Sequence, residues 1–255
     1  MSSLRGRCPD CRTFTAVAMG PGYECHACGR EFRAGLVRVP RAWGAGGQAL
    51  ADGANLSLPY PETAVVARDS LAEQTDELTA VLPERPIVLG GCCCAHVGAV
   101  RGLAGRVDRL ALVWIDAHGD LNTPDTSTSG NLWGMPLRML LDDGVVAPED
   151  VALVGTRSLD PPEQDYLDET GIDDSLDRAL DGADAVYVAL DLDVLDPADV
   201  EVFVPEPDGS PIEQIEAVFR DTVLRTPLAG IGVTGHVRDE KNIPIVSRLL
   251  TAAGL

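Results

Sequence analysis

Leu110–Asp120 reads LALVWIDAHGD, and Ala185–Asp193 reads AVYVALDLD. Each stretch places an unbroken apolar run directly before carboxylates. A run without alternation fits a strand covered on both faces, as in a parallel sheet packed between helices. In an extended chain, residues two apart point to the same side. Asp116, His118 and Asp120 therefore aim together, as do Asp191 and Asp193. Chemistry in such sheets collects beyond the carboxyl ends of the strands. Four aspartates and a histidine converging there repel one another unless cations are present, so a metal centre is expected. Helix caps and turns explain single aspartates after strands, but they explain two same-face sets poorly.

Working outward, further strands are expected at Leu36–Val39, Ile87–Gly90, Val151–Gly155 and Leu228–Val233. Helical patterns lie near 68–82, 95–104, 134–142, 173–181, 211–224 and 244–253. Gly44–Gly53 reads as a Gly/Ala-rich loop and Thr123–Ser129 as a polar one. Strand–helix alternation predicts an α/β fold, a three-layer α/β/α sandwich around a mostly parallel sheet. It occupies residues 36–255, with a small separate module over 1–35. The chain has 255 residues, 45% hydrophobic and only 4% aromatic, so aliphatic packing must dominate the core. No apolar run approaches the ~20 residues of a membrane span. The N-terminal MSSLRGRCPDC lacks the apolar core of a signal peptide, so a cytoplasmic location is expected.

The net charge is −20, with Lys241 the only lysine. Residues 1–43 carry seven arginines (5, 7, 12, 30, 33, 38 and 41) against Asp10, Glu24 and Glu31, a formal +4 that leaves −24 for the rest. A body this acidic repels nucleic acid and anionic membranes.

Seven cysteines fall into two groups. Cys8, Cys11, Cys25 and Cys28 spell C-x2-C-x13-C-x2-C, the spacing of a zinc ribbon, in which four thiolates hold one structural zinc ion. Two disulfides are the alternative, and they need an oxidising compartment. Four thiolates and a Zn²⁺ cut the module's +4 to about +2, which favours a docking or oligomer contact over nucleic-acid binding. His26 is a spectator within a knuckle.

WIDAHGDLNTPDTSTSGNLWGMPL and ALDLDVLDP resemble the metal-binding signatures of the arginase/ureohydrolase family, which includes arginase, agmatinase and formiminoglutamase. LGGCCCAHVGA occupies the place of that family's Gly-Gly-Asp-His-Ser segment. The resemblance runs from about residue 36 to the end. It implies two divalent ions, usually manganese. Asp116 and Asp191 would bridge both, His118 and Asp193 would complete one, and Asp120 and Cys93 the other. The implied chemistry is attack of a hydroxide shared by the two ions on an amidine or guanidine carbon, expelling an amine. Asp120 would also orient that hydroxide. Asn122, Ser127 and Ser129 match positions that bind the substrate's α-carboxylate. Asp160, supported by Glu163, matches the α-amino position. The implied substrate is a small guanidino or amidino amino acid, and the implied assembly a homo-oligomer.

Three departures stand out. Cys93, flanked by Cys92 and Cys94, replaces a histidine ligand, and Trp133 replaces a proton-shuttle histidine. Gly235, followed by His236, replaces the glutamate that anchors the guanidinium. A Cys93 thiolate would add a negative charge and favour Zn²⁺, Co²⁺ or Fe²⁺ over Mn²⁺, giving an asymmetric centre. His96, one turn after Cys93, is expected on the helix surface. Indole N–H only donates, so Trp133 cannot shuttle protons; it is expected to narrow the substrate pocket. His236 is a candidate to supply a proton or contact the guanidinium. A hydroxylated arginine would need less general acid. Two alternatives remain at this level. One is a mononuclear amide hydrolase resembling deacetylases; the other is a catalytically silent binding relative.

Overall fold

The computed structural model describes residues 5–6, 8, 10–11, 13, 15–19, 22–32 and 34–255. Arg7, Arg12 and Arg33 of the basic segment lie outside the described residues. The N-terminal module is an antiparallel sheet of β1 (Arg5–Gly6), β2 (Ala16–Met19), β3 (Gly22–Cys25) and β4 (Glu31–Phe32), in that order. The chain continues through β5 (Ala34–Val39), α1 (Gln48–Gly53), β6 (Glu62–Val65), α2 (Leu71–Val81), β7 (Arg85–Gly90), α3 (Ala95–Ala104) and β8 (Leu110–Ile115). Next come α4 (Pro136–Asp142), β9 (Val151–Val154), α5 (Pro161–Thr170), α6 (Leu176–Leu180) and β10 (Ala185–Asp191). The chain ends with α7 (Ile212–Arg225), β11 (Leu228–Thr234) and α8 (Asn242–Ala252).

Strands β5 to β11 form one parallel sheet in the order β6-β5-β7-β11-β10-β8-β9. Its two faces explain the unbroken apolar strands. Ala111, Val113 and Ile115 of β8 pack with Val186, Val188 and Leu190 of β10 against Ile215, Phe219 and Leu249 from α7 and α8. The alternate residues Leu112, Trp114, Tyr187 and Ala189 face Leu78, Val100, Leu103 and Leu137 from α2, α3 and α4. This is the expected three-layer α/β sandwich.

Three elements differ from the sequence expectation. Gly44–Gly53 is not all loop: α1 forms at its end, with Leu50 buried. β6, reading ETAV, is a mostly exposed edge strand without an apolar run. α5 carries little hydrophobic signal, yet it begins with Pro161 and Pro162. It is capped by Asp160 and Glu163 in a reciprocal capping box, a signature present in the sequence DPPE.

The four cysteines of the N-terminal module cluster. Cys8 and Cys28 sulfurs lie 3.6 Å apart, and Cys11 and Cys25 sulfurs 3.5 Å apart. Both distances are far beyond an S–S bond of ~2.05 Å and suit thiolates around one ion. The module rests on the amino-terminal ends of β5 and β7. Arg30 pairs with Glu84 at 2.6 Å, and the Arg85 guanidinium lies 5.9 Å from the centre of the Phe32 ring. It therefore sits at the opposite end of the sheet from the carboxylates. No helix among the described residues is long and apolar enough to cross a membrane.

Candidate metal centre and substrate pocket

Four neighbouring strands, β7, β11, β10 and β8, end at one crevice. Beyond β8, Asp116 Oδ1 accepts the backbone N–H of His118 (2.8 Å). At the end of β10, Asp191 Oδ1 accepts the N–H of Asp193 (2.9 Å). Asp193 Oδ1 accepts Ala117 N–H at 3.1 Å, which ties the two turns together. The ligand atoms fall into two close groups sharing Asp116: Cys93 with Asp116 and Asp120, and Asp116 with His118 and Asp193. Asp191 stands between them, its Oδ2 accepting from Cys93 Sγ at 2.9 Å.

These groups are buried, and burial disfavours their charged forms. Burial pushes Asp191 up to about 7 and Asp193 up to about 6, with neighbouring carboxylates adding to the shift. Asp116 and Asp120 move the same way for the same reasons. Burial also raises the Cys93 thiol, and the aspartates raise it further. Burial opposes charge on His118, yet hydrogen bonds to Asp116 and Asp193 hold it up to about 12.

The donor set fits divalent cations. Asp120 Oδ2 is buried with no hydrogen-bond partner, an expensive arrangement for a carboxylate oxygen unless a cation meets it. The Asp120 backbone is also held at φ +53°, in the left-handed region that Asp tolerates better than most residues. Oxygen, nitrogen and one sulfur donor together suit a first-row divalent ion.

A cavity of about 240 Å³ opens over this cluster. Its wall includes Asn122, Ser127, Ser129, Asp160 and Glu163. Asn122 Nδ2 donates to Asp160 Oδ2 (2.9 Å), and Thr126 Oγ1 donates to Asn122 Oδ1 (2.9 Å). Glu163 accepts from the backbone N–H of Leu121 and of Asp160, both at 2.9 Å. It locks the loop beyond Asp120 to the start of α5. The facing wall is apolar: Leu50, Trp133 and Phe203 pack together, with the Trp133 and Phe203 rings edge to face at 5.9 Å. Phe203 is brought there by its N–H donating to Gly235 O (3.0 Å). Sequence reasoning missed Phe203 because the 197–210 segment has no regular pattern.

Two histidine expectations are corrected. His96 is buried, not on the helix surface; its Nδ1 meets the Tyr187 hydroxyl at 3.0 Å and its Nε2 the Thr234 hydroxyl at 3.2 Å. His236 does not line the cavity. It is wholly buried, with Nδ1 3.3 Å from Thr234 O and Nε2 3.0 Å from Gly53 O. Both nitrogens thus face main-chain carbonyls, only one of which a neutral ring can donate to, and the ring lies outside the cavity wall. Gly235 does reach the site, at φ +74°. A Cβ there would lie 1.7 Å from Asp191 Oδ1, so the position carries no anchoring side chain.

The structure is thus a parallel α/β sandwich with carboxylate–histidine and carboxylate–thiol groups gathered at its strand tips. The sequence profile of the arginase family matches residues 30–233, and the chain belongs to that family. Arginase from Bacillus subtilis (strain 168) is 36% identical over 166 residues, 53% of this chain and 55% of the relative. Arginase from Bacillus caldovelox is 34% identical over 165 residues, 51% of this chain and 55% of the relative. The matched stretch thus spans about half the length of these curated relatives. Among solved structures, B. subtilis arginase has a TM-score of 0.73 at 24% identity, covering 85% of this chain and 98% of that one. Proclavaminate amidino hydrolase from Streptomyces clavuligerus has a TM-score of 0.68 at 21% identity, covering 87% and 90%. At these identities the structural likeness establishes the fold.

Proposed function

We propose that this chain is a metal-dependent hydrolase cleaving the guanidine or amidine C–N bond of an arginine-like amino acid, of the arginine or N-hydroxyarginine type. The observation that carries the reading is the unpartnered Asp120 Oδ2, set among the ligand groups at the floor of the cavity. Two divalent ions, manganese or Zn²⁺, Co²⁺ or Fe²⁺, would neutralise the aspartates there and make water a competent nucleophile. Asp116 and Asp191 would be shared between the ions, His118 and Asp193 would serve one, and Cys93 and Asp120 the other. Asp120 would also orient the attacking water. Asn122, Ser127 and Ser129 offer donors to a substrate carboxylate, and Asp160, steadied by Glu163, offers an acceptor to an ammonium group.

The opposite wall limits the reacting group. Trp133 and Phe203 supply no proton and no anion, and Gly235 supplies no side chain. A less basic guanidine, such as an N-hydroxyguanidine, needs less of an anion to hold it and less of an acid to activate it, and suits this wall better than arginine's guanidinium. Attack at its carbon would expel the amino acid's side-chain amine and leave hydroxyurea. The four-cysteine cluster at the far end of the sheet is proposed to hold one structural zinc ion.

Metal quantification joined to colorimetric release of urea, or of hydroxyurea from N-hydroxyarginine, tests the reading. Arginine, N-hydroxyarginine and agmatine form the panel. Release from an amino-acid substrate, lost with chelator and restored by metal, is the expected result. Turnover of acyl amides in place of guanidines would overturn it.

A further inference from the structure

His118 has different surroundings at its two ring nitrogens. Nδ1 lies inside the carboxylate cluster, 3.0 Å from Asp193 Oδ2 and 3.4 Å from Asp116 Oδ1. Nε2 lies 3.3 Å from Glu206 Oε1. A carboxylate only accepts, so this contact requires the hydrogen to be on Nε2. A neutral ring protonated at Nε2 has its lone pair on Nδ1, the nitrogen that faces the other ligand atoms. We propose that Glu206 is a positioning residue of the metal centre: by accepting the Nε2 hydrogen it holds the His118 ring in place and leaves Nδ1 free to bind the ion. Carboxylates commonly orient metal-binding imidazoles in this way and make them more basic ligands.

Glu206 is delivered by a braced segment. The Arg157 guanidinium donates to the carbonyls of Asp193 (2.8 Å), Glu206 (3.2 Å) and Pro207 (2.7 Å). One planar side chain thereby joins a ligand, Asp193, to the strand of loop that carries Glu206. Arg157 is itself fixed beside the first ligand turn, because its backbone N–H donates to Ala117 O at 2.9 Å. Just beyond, the loop passes so close to β10's continuation that a Cβ on Gly209 would lie 2.2 Å from Leu195 O. The Glu206 carboxylate therefore approaches His118 from a defined direction.

This inference rests on the metal-centre part of the proposed function, and its test reads metal binding rather than turnover. Co²⁺ is titrated into the full chain with Zn²⁺ retained in the four-cysteine cluster, for wild type, Glu206→Gln and Glu206→Ala. Two sites are expected in the wild type, one of them showing thiolate-to-Co²⁺ charge-transfer absorption from Cys93. Glu206→Ala should weaken the other site by about 10–100-fold and leave the charge-transfer site unchanged. Glu206→Gln keeps an acceptor and should recover most of the loss. The metal-free melting temperature should be the same in all three. Unchanged affinities in Glu206→Ala, or equal losses at both sites with a lowered metal-free melting temperature, would overturn the role of Glu206 alone. A wild type that binds no Co²⁺ outside the cysteine cluster would overturn the metal centre as well.

Discussion

The two halves of the carboxylate centre solve the same electrostatic problem differently. In the His118 half, an imidazolium can sit between Asp116 and Asp193, with Glu206 behind it. Positive charge is therefore supplied by the protein itself. In the Cys93 half, the candidate ligand groups are all acids: the thiol, Asp116, Asp120 and Asp191. Protons must remain on some of them, and Asp120 Oδ2 has no partner at all. On the proposed reading, the first half would depend on metal less than the second, whose acids have only protons or a cation to neutralise them. An ion held in the first half would take the place of a proton on His118. One held in the second would take the place of protons on buried acids, including a thiol raised well above its usual range.

The largest effects should come from Asp116, which both halves share. Asp116→Ala is expected to lose both ions and reduce hydrolysis to background. Asp193→Ala, by contrast, should empty the His118 half only, leaving one ion per centre by metal analysis. Equal losses in the two variants would mean that the halves are not separable. A smaller effect is expected from Cys93→His, which exchanges a soft donor for imidazole. Mn²⁺ affinity in that half should rise roughly tenfold, about 1.4 kcal/mol, and the charge-transfer band with Co²⁺ should disappear. Retention of the band would remove Cys93 from the ligand set.

How much of this was legible beforehand follows the same division. The β8 and β10 strands and their aspartates could be read because burial on both faces leaves an unbroken apolar run ending in charge, a pattern that needs no tertiary information. The capping box at Asp160–Glu163 is equally local, but α5 carries little of the apolar periodicity by which a helix is read from sequence. His96 and His236 were misjudged because their partners are remote in sequence. Tyr187 lies 91 residues from His96, and Gly53 lies 183 from His236. Those contacts form only when α3 packs on the sheet and α1 closes against the end of β11. Glu206 and Phe203 were missed for a related reason: an irregular loop gives no periodicity, and its course is set by Arg157 and Gly235 from other parts of the chain.

The smallest and most diagnostic effect is on stability as a function of pH. Burial raises Asp191 to about 7 and Asp193 to about 6 in the folded chain, against an unfolded value near ~3.9. A raised carboxyl contributes stability that is fully present below its unfolded pKa and is lost as pH rises through the folded value. His118, raised to about 12, contributes stability that is present below ~6.5 and declines at higher pH. All three push in one direction and outnumber the buried His96 and His236, whose lowered pKa values push the other way below ~6.5, so the metal-free melting temperature should fall between pH 5 and pH 8. Bound ions replace the protons on these ligands, and their affinity grows as the protons leave. The metal-loaded chain should therefore resist the decline, and the gap between loaded and stripped melting temperatures should widen from pH 5 to pH 8. Thermal unfolding at fixed ionic strength, with the cysteine cluster kept loaded with Zn²⁺, measures that gap. A gap that narrows with rising pH would contradict the protonated state assigned to the metal-free ligand groups. A gap that widens in wild type but much less in Asp191→Asn would place much of the effect on the carboxylate between the two halves.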